Sequence, residues 1–208
     1  MASVKPKLTR REKAARTRSR IIDAAYALFC QQGFRATTME AIAARAGVAV
    51  QTVYFVFHTK DELVQAVHER AVLGDEGAPP ALQRWHVEAM EQPDIASAVR
   101  GIVDGVGTIL GRVAPMIPAY HAVTNDPAGE RWRRSEELRL QGMVELVRSL
   151  SRKAPIRRGL AREQAADILF VLLGPDLFRT LVLERGWKQA EWADWVKRSI
   201  LRDLFGQH

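Results

Sequence analysis

Apolar residues recur along this chain at intervals of three and four, the spacing of one face of an α-helix. The first such stripe is Ile21, Ile22, Ala25, Leu28 and Phe29. It predicts a helix from about Arg11 to Gln32, closed by Gly33, which enters the left-handed region without steric cost. A second helix is expected to open at Thr37-Thr38-Met39-Glu40, with Thr37 and Glu40 as a capping box and Met39, Ile42, Ala43 and Ala46 as its buried stripe. Gly47 ends it. A short third helix is expected over about Val50 to Phe57, with Val53, Val56 and Phe57 facing inward. Thr59 with Glu62 then makes a second capping box, opening a fourth helix that buries Leu63, Ala66 and Val67 and runs to about Leu73.

The run GDEGAPP, 74–80, is a break. Further helices are expected at about 81–91, 94–112, 127–153, 161–185 and 189–205, with turns at Pro115/Pro118 and Pro155. Gly174-Pro175 falls inside an apolar helical pattern and should kink or split it, because proline removes a hydrogen bond and clashes with the preceding turn. No alternating β-branched run and no Asn-Gly or Asp-Gly hairpin signal occurs. The fold class expected is all-α: a basic arm at 1–19, a small three-helix DNA-binding domain carrying a helix-turn-helix at 20–73, and a larger helical domain for ligand binding and dimerisation at 74–208.

Charge sharpens this picture. Of the 208 residues, the first twenty hold eight lysines and arginines against Glu12 alone, so the whole net charge of +7 sits at one end. A basic arm before a folded body suits a polyanion such as DNA, although a solvated tail has the same composition. The lone cysteine, Cys30, excludes an internal disulfide and reads as a small half-core residue. No apolar run approaches the ~18 residues of a membrane span, and none follows the basic residues as in a signal peptide. A cytoplasmic protein with no membrane partner is the expectation.

The most informative stretch is 37–57. Two short helices are joined by Ala46-Gly47-Val48-Ala49, the first small and alanine-rich so that the second can cross it closely. That is a helix-turn-helix, whose second helix projects into the major groove. From Arg35 through Val67 the chain resembles the DNA-binding domain of TetR/AcrR-type repressors. The resemblance rests on Thr38, Ile42, Ala43, Ala46-Gly47-Val48, Thr52, Tyr54, Phe57, Lys60 and Leu63 in register, and continues back through Ile22-Asp23-Ala24-Ala25, Leu28-Phe29 and Gly33-Phe34. It implies that Val50, Gln51, Thr52 and Phe55 lie near the groove-facing side of the recognition helix, that Tyr54 and Lys60 meet phosphates, and that Thr38 holds the start of the second helix. Gln51 is the best base reader, since its amide can pair with adenine N6 and N7. Departures from the pattern are Ala49 where a capping serine is usual, Gln51 where glycine is common, and Phe55 where a polar residue is common.

The resemblance also implies a homodimer through the helices at about 161–185 and 189–205. Ile168, Leu169, Leu172, Leu173, Leu177, Leu181 and Val182 exceed the needs of one small core, and Trp192, Trp195, Val196 and Ile200 line the last helix. Such a dimer reads a palindromic operator and releases it when a largely apolar small-molecule effector enters the second domain. Candidate lining residues are Trp85, Met90, Met116, Tyr120, His121, Trp132, Met143, Phe170 and Phe178. No cofactor is expected, and His121, Asp126 and Glu130 lack metal-ligand spacing. Two rival readings are a helical enzyme, for which no nucleophile-base motif or phosphate loop is present, and a DNA-binding protein without sequence choice, which the basic arm alone fits.

Overall fold

The structure, a computed structural model, describes residues 9–122 and 127–207. Among them every regular element is helical. Asp126, named above with His121 and Glu130, lies outside the described residues.

Helix α1 (Arg10–Ala36) begins well inside the basic arm, because Thr9 and Glu12 form a reciprocal capping box there: the Glu12 amide donates to Thr9 Oγ1 (3.2 Å) and the Thr9 amide donates to Glu12 Oε2 (2.7 Å). The described part of the arm is therefore helix continuous with the body. Gly33 breaks α1 with φ +77°, as expected of a glycine stop. Helix α2 (Met39–Ala46) is capped by Thr38. The capping box expected of Thr37 is not formed. Thr37 is fully buried and its hydroxyl donates to the Gly33 carbonyl at 2.8 Å. Helix α3 (Val50–Val56) follows, then α4 (Lys60–Leu73), whose cap Thr59 accepts from the Glu62 amide at 3.1 Å. The Glu62 carboxylate reaches one residue further back, accepting from the His58 amide, so only half of that box is present.

After a 3₁₀ turn at Pro80–Leu82 come α5 (Arg84–Glu91) and α6 (Ile95–Val113). The expected interruption at Pro115 and Pro118 is instead a 3₁₀ turn, Ala114–Met116, running into a short helix α7 (Ile117–His121). Both prolines stand in the first turn of their elements, where no backbone donor is missed. The stretch 95–121 is apolar and long enough to cross a membrane by composition, but most of it is packed inside the protein, as the central helix of a core would be.

Helix α8 (Pro127–Leu150) returns across the molecule, followed by α9 (Arg162–Leu172). Gly174-Pro175 does split the next helix. Here α10 (Pro175–Phe178) restarts the chain and continues as a π-helical turn at Arg179–Glu184, before α11 (Gln189–Phe205).

Two buried clusters result. The first joins α1 to α4 through Ile21, Phe29, Ile42, Val53 and Leu63. It also takes in Ile109, Val113, Met116, Ile117 and Tyr120 from α6, the 3₁₀ turn and α7. The second centres on Val103, Leu150, Leu169, Phe178 and Trp192. A polar tie reinforces the first cluster: Tyr26 on α1 donates to the Arg112 carbonyl (3.0 Å), and Arg112 Nε donates to the Ala71 carbonyl in the last turn of α4 (2.8 Å).

Candidate nucleic-acid interface

The turn between α2 and α3 depends on Gly47, which takes the left-handed conformation at φ +64°, ψ +45°. Its amide donates to the Ala44 carbonyl and the next amide, of Val48, donates to the Ala43 carbonyl (3.2 and 3.1 Å), closing the end of α2. Arg20, from α1, donates to the carbonyls of Ala46 and Gly47. The turn is thus clamped from outside, and the orientation of α3 is fixed by α1 as well as by packing. Val48 is half-buried against the first cluster, as the plug between the helices. Ala49 starts α3 with no side-chain cap, the consequence of the departure seen in the sequence.

Helix α3 divides sharply. Val53 is 0% exposed and Phe57 just past its end is 3% exposed, whereas Tyr54 is 46% and Phe55 84% exposed. Gln51 is exposed as well, and Val50 and Thr52 are half-buried at its base. Val56, expected to be core, is also half-buried, on the flank of the first cluster. An 84%-exposed phenylalanine is unusual for a chain in water, since burying such a ring is worth roughly 1.5–3 kcal/mol. Gln51, Tyr54 and Phe55 therefore form a projecting face with no partner from the body of the protein.

Thr38 is exposed and its hydroxyl accepts from the Ala41 amide (3.1 Å), so its role as the holder of α2 is visible. Lys60 has a different task from the one the resemblance implied. Its ammonium donates to the carbonyls of Phe34 and Thr37, both at 2.9 Å, and lies 4.2 Å from the centre of the Phe34 ring. It ties the start of α4 to the corner between α1 and α2, and burial pulls its pKa below the ordinary lysine value. The physical reason is the Gly33 break, which leaves these carbonyls without helical donors. Around this face lie the exposed side chains of Arg10, Arg11, Lys13 and Arg16 on the first turns of α1, and of Arg35 and Arg45. Arg18 stacks 4.8 Å from the Phe57 ring.

The residues expected to line one effector pocket are not gathered in one place. Tyr120 and Trp132 stack on each other at 4.4 Å and 15°, and His68 of α4 meets both edge-on. His68 is tied to Tyr120 Oη (3.1 Å) and Ser135 Oγ (2.8 Å), and burial pushes its pKa down to about 4. Beside them is a cleft of about 190 Å³ between α4, α7 and α8. Trp85 belongs to a different and more open cleft of about 750 Å³, between the end of α4, α5 and α6, whose walls also carry Gln83 and Arg112. Met116 and Phe178 are closed inside the two cores, at 0% and 1% exposed. Met143 and Met90 pack on the edge of the second cluster. Phe170 lies under the Arg139 guanidinium at 3.4 Å, and His121 sits on the surface 3.8 Å from Asp176. Helical spacing identifies inward-facing residues, but not which of two interiors each one faces.

Sequence reasoning missed Gln83. It is buried, its amide donates to the Leu73 and Ala78 carbonyls (3.1 and 2.8 Å), and it accepts from the Trp85 indole (2.7 Å). It thereby seals the end of α4 and sets the Trp85 ring. Nothing in the local sequence separates it from a surface glutamine.

An all-helical chain with a clamped helix-turn-helix and a projecting second helix has the architecture of a DNA-binding protein. Residues 21–67 match the model of the bacterial regulatory proteins of the tetR family. The chain is 47% identical over 55 residues to the HTH-type transcriptional regulator SrpR of Pseudomonas putida, covering 26% of each chain. It is 44% identical over 57 residues to the HTH-type transcriptional regulator TtgR, also of Pseudomonas putida, covering 27% of each. The matched segment thus spans about a quarter of these relatives. The backbone as a whole resembles the SmeT–triclosan complex (TM-score 0.70, 23% identity, 91% of both chains). It also resembles a transcriptional regulator of Saccharomonospora viridis in complex with choline (TM-score 0.71, 17% identity, 91% of this chain and 98% of that one). Residues 21–67 are a TetR-type DNA-binding domain, and the fold of the chain is that of TetR-type regulators.

Proposed function

We propose that this protein is a sequence-specific transcriptional regulator, acting as a repressor whose hold on operator DNA is released by a small molecule. The observation that carries this is the face of Gln51, Tyr54 and Phe55: three exposed side chains on a helix whose other side is buried and whose entry is clamped by Arg20 and Gly47. In this reading Gln51 reads a base edge, Phe55 and Val50 meet thymine methyl groups, Thr52 and Tyr54 bond a base or a phosphate, and Thr38 and Lys60 position the unit. Residues 20–73 form the DNA-reading unit and 74–208 the effector and dimer unit of a soluble cytoplasmic protein. Its homodimer would set two recognition helices about one turn of DNA apart, ~34 Å.

The dimer surface is narrower than the sequence pattern suggests. Leu169, Leu173, Trp192, Val196 and Ile200 are closed within the chain's own core. What α9 to α11 leave outward is Val171 (60% exposed), Leu183 (50%) and Trp187 (36%), with Trp195 half-buried and in edge contact with Trp187. The same two-helix region is proposed as the interface, through these outer residues.

Release follows from the position of α4, which packs against α1, α6 and α8. A molecule that favours a tilted α4 moves the recognition helices off the groove. A hundredfold change in operator occupancy needs about 2.7 kcal/mol of differential affinity. The test is selection of bound DNA from a random pool at physiological salt. A palindrome with half-sites about one turn apart supports the reading. A pool without enriched sequence refutes it in favour of the basic-helix alternative, binding without sequence choice. Gln51→Ala should then relax preference at one base pair of each half-site by ~1–3 kcal/mol.

A further inference from the structure

The cleft between α4, α7 and α8 holds an unmet hydrogen bond. Gln65 lines it together with Val64, His68, Tyr120, Trp132 and Leu138. The Gln65 amide nitrogen donates to Glu69 Oε1 at 2.8 Å, which fixes the orientation of the amide, since the reverse would set two acceptors against each other. Its carbonyl oxygen is left buried with no partner. A buried acceptor without a donor costs roughly 1–3 kcal/mol, and a native chain keeps one where something else supplies the donor. The other polar groups of the cleft offer no such donor. His68 is held by Tyr120 on one side and Ser135 on the other, so its ring is saturated in either neutral tautomer. The remaining walls are aromatic or aliphatic.

We propose that this cleft binds a small, flat, neutral aromatic molecule bearing one O–H or N–H group, which donates to the Gln65 carbonyl while its ring lies among Val64, Trp132 and Leu138. The inference deepens the effector reading above and rests on it for its regulatory meaning. A volume of about 190 Å³ takes one or two fused rings and little more. Anions are disfavoured, because the Gln65 oxygen and the rim carboxylates of Asp61 and Glu69 all present negative charge. Cations lose their hydration in a site whose own histidine is kept neutral by burial. The occupant touches α4 on one side and α8 on the other, so it bears on the helix that carries the DNA-reading unit.

The test is calorimetry on the full-length protein without DNA, using indole and benzofuran, which share shape and differ in the N–H donor. Indole should bind once per chain, and benzofuran about tenfold more weakly. Gln65→Leu should erase that ratio by removing the acceptor. Leu138→Trp, at a half-exposed wall position, should fill the cleft and abolish both, with an unchanged melting curve as the check on folding. Equal binding of the two probes overturns the proposal, as does no binding at millimolar concentration. Binding that survives both substitutions also overturns it and assigns the probes to the larger Trp85 cleft. Because no DNA is present, failure here leaves the operator selection untouched, and an unenriched pool leaves this titration untouched.

Discussion

Replacing Lys60 by methionine separates two roles that a lysine at the edge of a DNA-binding face can have. The substitution keeps the aliphatic stem and removes the ammonium that donates to the Phe34 and Thr37 carbonyls at 2.9 Å each. Hydrogen bonds from a charged donor contribute about 1.5–3 kcal/mol each when buried. Lys60 is only partly buried, so the lower end applies, and the pair contributes roughly 2–3 kcal/mol, with the contact to the Phe34 ring adding ~0.5 kcal/mol. For a chain of this size each kcal/mol moves the melting temperature by about 2–4 °C, so a fall of roughly 5–10 °C is expected. Operator affinity should fall as well, because the corner between α1 and α2 loosens. The deciding measurement is the dependence of affinity on salt. A residue that neutralises a phosphate lowers the logarithmic slope by about one when removed, whereas a clamp leaves the slope as it was. A Lys60→Met protein with wild-type stability and a slope reduced by one would refute the clamp.

His68 links acid stability to the same helix. Its folded pKa, about 4, lies below the ordinary 6.5, so the folded state resists protonation; the stabilisation is full above about pH 6.5 and is lost as pH falls toward 4. The gap corresponds to about 3 kcal/mol, of which about 2 kcal/mol disappears between pH 8 and pH 5. Denaturant titrations should show His68→Phe losing that part of the pH dependence; an unchanged profile would rule the histidine out as its source. Gly47→Ala should cost about 1–2 kcal/mol for the left-handed backbone, and the new Cβ would stand 2.8 Å from the Arg20 guanidinium, so the turn clamp opens and operator binding fails before the fold does. Gly105→Ala puts a methyl group 2.0 Å from the Trp85 ring; a loss of about 1–3 kcal/mol with a red-shifted tryptophan emission is expected, and an unshifted spectrum would show that the α5–α6 seam gives way elsewhere.

The parts of this molecule that follow from local chemistry were readable in the chain. Gly33 and Gly47 stop helices because of their backbone freedom, Thr59 caps α4, and Gly174-Pro175 breaks a helix because proline must. The projecting face of α3 was readable too, since the residues flanking Val53 fall on the other side of a helix. What was not readable depends on distant partners. Lys60 looks like any lysine at a helix start until the broken end of α1 brings its bare carbonyls within reach. Thr37 and Thr38 are adjacent threonines, and only the burial of the first decides which of them caps. The apolar excess of the C-terminal helices was visible, but periodicity states that a face is covered without stating by what, and Trp192, Val196 and Ile200 are covered by their own chain.

The first buried cluster does not end with the DNA-reading unit. Ile109, Val113, Met116, Ile117 and Tyr120 complete the interior that α1 and α4 begin, and Tyr26 is pinned to the main chain of Arg112. A chimera that splices the reader of one regulator onto the sensor of another has an obvious seam at the end of the fourth helix. In this chain that cut would pass through shared packing and leave an apolar floor open on both pieces. The transferable unit is therefore discontinuous: residues 9–73 together with 109–120, or a recipient whose own α6–α7 segment offers the same shapes.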